Sequence, residues 1–265
     1  MSGDEVLVLI ASLGIGGLFW GLWNWHLIAV HRLLCGFSYR FLMGILPLAC
    51  AGLLFVILKR WAAADVRDDA RYLLMYEALG AAWVLVATEA LPYLGYSLRD
   101  DVLERRNGAA AWAIAGALVA LTLCFAGGNI GNGPGWWVVV FAAALSTAGF
   151  FGLWLVVELS ARPSRAITTD RDLATGLRLA GLLTAVGIIL GRGVAGDWVS
   201  ATATLRDFAV HAWPALLLVG LAVVVERLTP RMERGLTSGL VLGVLPAFIY
   251  LGGATVWLLQ VGVGA

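Results

Sequence analysis

Glu89 is the residue of this sequence whose type and position most directly suggest chemistry. It lies inside the apolar segment 74–96, directly after Thr88 and shortly before Pro92. A carboxylate inside a bilayer is costly, so this side chain should face the protein interior or a water-filled cavity. In that setting a carboxyl group can bind and release a proton or a cation. Glu89 therefore predicts proton or cation handling, and the alternative is a protonated side chain that bonds a neighbouring helix.

Arg192 and Asp197 form a second candidate pair. Arg192 lies near the end of the apolar segment 174–195, and Asp197 follows it at the expected membrane edge. A long arginine side chain can extend to the interface and pair with such an acid. The pattern favours a structural ion pair, and the functional alternative is a cation that lines the mouth of an outward cavity.

Glu158 and Glu226 each end a Val-Val-Glu step at the close of an apolar segment. Arg162 and Arg227 lie beside them in the chain. The pattern predicts ordinary interfacial ion pairs, which contribute little stability when they are exposed. The alternative is a gate built from two equivalent acids.

The histidines do not have the spacing of a metal or haem site. His26 and His31 are separated by about 140° around a helix, so they cannot share one ion. Asp207 and His211 share a helix face at i, i+4, where an interfacial hydrogen bond explains them. The cysteines contain no CxxC pair: Cys35, Cys50 and Cys124. We therefore expect no metal and no cofactor.

Motifs of hydrolytic enzymes are absent from the sequence, which contains no GxSxG, HExxH or SxxK. The glycine-rich segment 127–135 does not end in Lys-Ser/Thr and does not follow a strand, so it predicts a hairpin between two spans and not a phosphate loop. A membrane-bound enzyme therefore stands only as a third hypothesis.

The elements that must position these residues are membrane helices. Hydrophobic residues make up 61% of the chain and charged residues 13%, with a mean hydropathy of +0.89. At about 20 residues per span, the chain predicts an all-α, polytopic integral membrane protein with about eight transmembrane helices. The predicted spans are 6–25, 41–58, 74–96, 108–127, 136–157, 174–195, 208–226 and 237–259. The first is expected to be a retained span and not a cleaved signal peptide.

Arginine is concentrated in alternate loops. Three loops contain three arginines each: 97–107, 158–173 and 227–236. Basic loops tend to be cytoplasmic, so this alternation places them inside and both termini outside. The segment 60–73 conflicts with it, because its basic residues would face outward. Either its aspartates offset that charge, or the segment is an interfacial helix and 74–96 does not fully cross; the first alternative, with eight spans, is favoured.

Two segments, 107–158 and 172–226, align as a tandem two-helix repeat. With Gly116 placed on Gly181, Asn107 falls on Asp172 and Asn132 falls on Asp197. The predicted divisions are an N-terminal part of about three spans, two repeat units and a last span: 1–103, 104–158, 159–234 and 235–265. Because each unit begins at a basic loop and contains two spans, the copies should run in the same direction. Such repeats often form a pathway or a site at their interface.

The first copy resembles a known family. Its pattern Asn-x-Ala-x-Ala-x-x-x-x-Gly, from Asn107 to Gly116 and preceded by Arg105 and Arg106, is similar to the core motif of the bacterial YjfL-like membrane proteins, whose function is unknown. The resemblance covers residues 104–226, although Asp172 replaces the asparagine in the second copy. It implies a multi-pass protein of the bacterial inner membrane, near envelope-stress or polyamine-related proteins, and it implies no site residues.

Three functions remain open from the sequence. The first is a transporter or channel for protons or small cations, because the chain combines tandem repeats with an intramembrane acid. The second is a non-catalytic inner-membrane scaffold or envelope-stress component, and the third is the membrane enzyme. The expected partner is the lipid bilayer. Small-residue ridges at Gly116–Ala120 and Gly187–Gly191 predict close helix packing within the chain or in a homo-oligomer, and the net charge of +1 does not favour nucleic acid.

Overall fold

Ten α-helices make up almost the whole of the chain that is described. The computed structural model describes residues 1–30, 37–229 and 236–263, and their side chains except those of 37, 38 and 236–240. The helices are α1 Gly3–Ala29, α2 Phe37–Trp61, α3 Ala64–Asp68, α4 Ala70–Thr88, α5 Gly108–Gly127, α6 Trp136–Ala161, α7 Pro163–Thr168, α8 Leu173–Gly193, α9 Ala201–Leu228 and α10 Leu236–Val261. A short 3-10 helix, Leu91–Leu94, and a π-helix, Leu98–Glu104, lie between α4 and α5.

Eight of the helical segments in the described ranges are long and apolar enough to cross a membrane. They coincide with the eight predicted spans, and the third extends over Ala70–Leu94 as α4 and the 3-10 turn that follows it. Backbone groups inside a bilayer must be hydrogen-bonded within the protein, and a helix achieves this with its own residues. The prediction of an all-α polytopic membrane protein is confirmed.

Side-chain caps define where several spans begin. Asn107 accepts hydrogen bonds from the backbone amides of Ala109 and Ala110 at the start of α5. Asp172 accepts one from the amide of Ala174 at the start of α8. These side chains satisfy amide groups that have no partner inside the helix, which stabilises each helix start by roughly 1 kcal/mol.

One end of the bundle, which we call the glycine end, gathers the chain start and the glycine-rich segment. The indole of Trp136 donates to the carboxylate of Asp4 at 3.2 Å, and Ala62 pairs through its backbone with Ile130. The segment that follows α2 therefore lies at this end, where it forms the short helix α3. Of the two alternatives for 60–73, the one with eight spans agrees with this arrangement.

The opposite end, which we call the basic end, contains the loops 95–107 and 158–172. The side-chain amide of Asn107 donates to the carbonyl of Ile167 at 2.7 Å and joins the two loops. Their arginines predict a cytoplasmic location by the positive-inside rule. His31 and Cys35 lie outside the described residues, as do Arg231 and Arg234, two of the three arginines of the loop 227–236.

Helices α5 and α8 form the centre of the bundle and are its most buried spans. A Cβ atom added to Gly187 would lie 2.6 Å from Cα of Ala120, and one added to Gly176 would lie 2.7 Å from Cα of Ala109. The contacts advance together along both helices, so α5 and α8 run in the same direction. Small residues permit this close backbone contact, which is typical of packed membrane helices. Helix α10 packs extensively on the other side of α8.

Candidate functional site

A buried ion pair between Arg178 and Glu226 joins three helices near the basic end. Nε and Nη2 of Arg178 donate to the two carboxylate oxygens of Glu226 at 2.6 and 2.9 Å. Nη1 donates to the carbonyl of Leu242 at 3.0 Å, and Nη2 also reaches the hydroxyl of Thr175 at 2.8 Å. Arg178 is 2% exposed and Glu226 9%. The pair therefore fastens α8 to α9 and α10.

Arg178 is not among the residues predicted from the sequence, and Glu226 does not pair with Arg227 as predicted. Arg227, the expected partner, is exposed and donates to the backbone carbonyl of Ser160. The available signal was an arginine inside the predicted span 174–195, because such a residue is expensive in a bilayer and requires a buried partner. Only Arg192 in that span had been considered.

Glu158 also binds a partner other than the expected arginine. Its carboxylate accepts a hydrogen bond from the hydroxyl of Tyr96 at 3.3 Å and one from the backbone amide of Ser164 at 3.1 Å. No ion pair of Glu158 with Arg162 is found in the described part of the chain. Glu158 therefore carries no cationic partner there, unlike Glu226.

Tyr96 donates a hydrogen bond to Glu158 and also lies within the electrostatic influence of Glu226. Burial raises the pKa of the Tyr96 hydroxyl well above its ordinary value, and the nearby charges of Glu158 and Glu226 raise it further. The hydroxyl is therefore a protonated donor at neutral pH. We refer to Tyr96, Glu158, Arg178 and Glu226 together as the Arg178 cluster. Glu158 is half-buried and Glu226 is buried, and both lie near the basic end. The gate role stays a prediction.

Glu89 does not face the protein interior as expected, although it lies within the third candidate span, Ala70–Leu94. Helix α4 ends at Thr88, and Glu89 follows it as an exposed residue on the basic-end side of the span. Pro92 and Gly95 explain the early end, because the chain continues as a 3-10 turn that closes at Gly95 with φ of +90°. Glu89 therefore does not face the protein interior.

Glu77 is the second acid of the candidate span Ala70–Leu94. It lies two turns inside the helix and is half-buried, and its Oε2 atom is shielded from solvent without a hydrogen-bond partner among the described residues. From the sequence, Glu77 lies near the start of the predicted span 74–96 and is expected at the interface. Helix α4 begins at Ala70, four residues earlier, and so places Glu77 two turns inside the helix.

Arg192 and Asp197 do not pair with each other. Arg192 is buried and donates to the backbone carbonyls of Gly262 at 2.6 Å and Ala195 at 3.1 Å. Asp197 instead accepts from the backbone amide of Asn132 at 2.6 Å and from its side-chain amide at 2.9 Å. Arg192 thus ties the end of α10 to α8, and Asp197 ties two loops of the glycine end together.

Asp207 and His211 interact through the backbone. Nδ1 of His211 lies 2.9 Å from the carbonyl oxygen of Asp207, and no bond between the two side chains is found in this described part of α9. Both positions lie on α9, away from the Arg178 cluster. Within the described ranges, no group of three or more histidine, cysteine, aspartate or glutamate residues could hold a metal ion.

The fold and these polar contacts define a class, a multi-pass membrane protein with buried charged residues between its helices. No protein-family model, curated protein or solved structure matches the chain. The resemblance of residues 104–226 to the YjfL-like family therefore stays a prediction. What the protein does has to be inferred from its own residues.

Proposed function

We propose that this protein moves protons or small cations across its membrane. The observation that carries the proposal is Glu77, a half-buried acid inside a span with a shielded carboxylate oxygen and no partner among the described residues. A charged carboxylate is costly within a bilayer, and uptake of a proton or a cation removes that cost. Intramembrane acids of this kind commonly mark proton and ion pathways.

The proposal assigns the Arg178 cluster a supporting role at the basic end. Arg178 makes four hydrogen bonds, two of them to Glu226, so the pair holds the helices in place. Glu158 has only neutral donors, Tyr96 and Ser164. It is therefore the member of the cluster that can exchange a proton without breaking an ion pair, and we place it on the basic-end side of the pathway.

We further propose that the two aligned segments form equivalent halves around α5 and α8. Positions that are equivalent in the alignment have similar local structure: Arg106 and Arg171 have φ of +53° and +54°, and the amides of Asn107 and Asp172 donate to the carbonyls of Asp101 and Ala166. The equivalent residues Asn132 and Asp197 bind each other. These features support two halves that are related by an axis along the membrane normal, the arrangement of a parallel repeat.

Flux through proteoliposomes tests the proposal. Purified protein would be reconstituted, and dissipation of an imposed proton or monovalent-cation gradient would be followed with a trapped fluorescent indicator. We expect the wild type to conduct, Glu77→Gln to fall to the rate of empty liposomes, and the exposed control Glu89→Gln to retain most of the wild-type rate. Wild-type flux in Glu77→Gln would contradict the assignment of Glu77.

A non-transporting scaffold is the second candidate, and the contact between α5 and α8 favours it. Backbones in direct contact at Gly116, Gly176 and Gly187 leave no space between these two helices for a solvated path. Absence of flux in the wild type across protons and the monovalent cations, from a protein shown to be folded, would favour the scaffold. An inner-membrane enzyme is a third hypothesis that no specific contact among the described residues favours.

A further inference from the structure

An apolar cavity of about 210 Å³ lies between α2, α5, α8 and α10, in the half of the bundle towards the glycine end. Its walls are mainly hydrocarbon and include Leu53 and Ile57 of α2, Ile188 of α8 and Leu258 of α10. All four helices contain candidate membrane spans. The surroundings of a membrane span are hydrocarbon and not water, so an apolar occupant of this cavity comes from the bilayer.

Arg192 is the charged member of the described residues that line this cavity. It is 8% exposed, and it donates through Nε to the carbonyl of Gly262 and through Nη1 to that of Ala195. Its Nη2 makes no hydrogen bond among the described residues and is not sealed off by protein atoms. A guanidinium group has more N–H donors than these two bonds use. Arg192 therefore has donors left for a ligand.

Arg192 has no acidic partner within the part of the chain that the structure describes. Arg178, the other buried arginine of α8, binds both carboxylate oxygens of Glu226, whereas Arg192 binds backbone carbonyls. Asp207 influences Arg192 electrostatically but forms no hydrogen bond or ion pair with it in this part of the chain. A buried cation is costly when no anion accompanies it. An anionic group that binds beside Arg192 would remove that cost.

The direct contact of α5 with α8 forms the floor of the cavity. Gly191 and Leu123 both line it, and a Cβ atom added to Gly191 would lie 2.5 Å from the carbonyl oxygen of Leu123. The cavity therefore ends at these two helices and is preformed, and a preformed site loses little entropy on binding. Its volume is below the range of about 300–1,000 Å³ that encloses a drug-sized ligand. It therefore suits part of one hydrocarbon chain better than a lipid with two chains.

We propose that this cavity binds the anion of a single-chain fatty acid, with the carboxylate on Nη2 of Arg192 and the hydrocarbon chain along the apolar walls. A carboxylate accepts strong, charge-assisted hydrogen bonds from a guanidinium group. The sequence offers, as the functional alternative for Arg192, a cation that lines the mouth of an outward cavity, and the proposal assigns a ligand to such a cavity. Neither Glu77 nor the Arg178 cluster lines it, so the inference does not depend on the proposed transport activity.

Native mass spectrometry of the full-length protein, released from detergent micelles, tests the site by counting bound molecules. The probe is stearate, titrated in parallel with its neutral methyl ester and with phosphatidylglycerol, an anionic lipid with two chains. Arg192→Gln removes the cation, and Arg192→Lys keeps the charge. Arg206→Gln is the matched control, since Arg206 is an exposed arginine of α9 that does not line the cavity.

A further variant tests the cavity without changing Arg192. Ile188→Trp places a larger side chain on the apolar wall and leaves the hydrogen bonds of Arg192 in place. Size-exclusion chromatography and the wild-type unfolding transition establish that each variant is folded. A loss of binding in a folded Ile188→Trp protein therefore reports on the cavity itself.

We expect saturable binding of one stearate that Arg192→Gln weakens about tenfold or more, as the loss of a charge-assisted hydrogen bond predicts. Arg192→Lys should lose less, Ile188→Trp should bind weakly, and Arg206→Gln should match the wild type. Four results would overturn the proposal: no saturable binding, methyl stearate or phosphatidylglycerol bound as tightly as stearate, equal affinity in Arg192→Gln, or equal affinity in Ile188→Trp. Because the readout is binding, a protein without flux can still support the site.

Discussion

Replacing Glu226 with glutamine tests whether the buried ion pair holds α8 against its neighbours. The change keeps the size of the side chain and one acceptor but removes the negative charge. Arg178 stays 2% exposed and loses its counter-ion, while its bonds to the carbonyl of Leu242 and to Thr175 persist. Removal of one partner from a buried pair costs about 3–5 kcal/mol, because it leaves an uncompensated charge. We expect a loss near the lower limit, about 3 kcal/mol, since the amide oxygen can still accept one bond.

The assay is equilibrium unfolding in mixed micelles of a mild detergent and dodecyl sulfate, followed by tryptophan fluorescence. Arg178→Met and the double variant complete a double-mutant cycle. The double variant removes both charges, so it should be more stable than the sum of the single losses by roughly 2 kcal/mol. Arg227→Met is the control, because that exposed arginine hydrogen-bonds a backbone carbonyl, that of Ser160, and it should change stability by less than about 0.5 kcal/mol.

Two results would refute this reasoning. Additive single losses would mean that Arg178 and Glu226 do not interact in the membrane as their geometry indicates. A loss in Arg227→Met equal to that in Glu226→Gln would mean that the neighbouring arginine, the partner expected from the sequence, is the one that matters.

Two further predictions concern helix packing and pH. Gly187→Ala should destabilise the protein by about 1–3 kcal/mol in the same unfolding assay, because the new Cβ would lie 2.6 Å from Cα of Ala120. The control Gly220→Ala, whose new Cβ would meet nothing within 4 Å, should be neutral or slightly stabilising. Equal effects of the two changes would argue against the close contact of α5 and α8. Arg71 lowers the pKa of the Asp69 carboxyl from 3.8 to about 2, mainly through its side-chain hydrogen bond. The charge of Asp69 should therefore stabilise the protein above about pH 4, and this stability should be lost as the pH falls towards 2. Asp69→Asn keeps a side chain that can cap the start of α4, so its stability difference from the wild type should be present at pH 6 and vanish near pH 2. A difference that does not vary with pH would contradict the pairing of Asp69 with Arg71.

The sequence by itself determined the number of spans and the start of several helices. A membrane helix satisfies its own backbone hydrogen bonds, so an apolar run of sufficient length is enough to predict it. Asn107 and Asp172 could be recognised before α5 and α8 because a cap acts on amides only two or three positions away. These features are local, and no contact with another helix is needed to produce them.

The exact end of a span was less accessible to sequence reasoning. The apolar run around Glu89 continues through Pro92, so composition alone predicts an uninterrupted helix to residue 96. The structure ends α4 at Thr88 and continues the chain as a 3-10 turn. This difference leaves Glu89 exposed beyond the end of α4, whereas Glu77 lies two turns inside the helix.

Only the tertiary structure decided which charged residues meet. Glu226 has Arg227 beside it in the chain, yet it pairs with Arg178, 48 positions away. Arg192 likewise binds the carbonyl of Gly262, and Asp197 binds Asn132. Successive residues on a helix point about 100° apart, so a neighbour in sequence faces away while a residue on a packed helix faces inward. Partners of buried charges are therefore properties of how the helices and loops pack, and packing is set by contacts between distant segments.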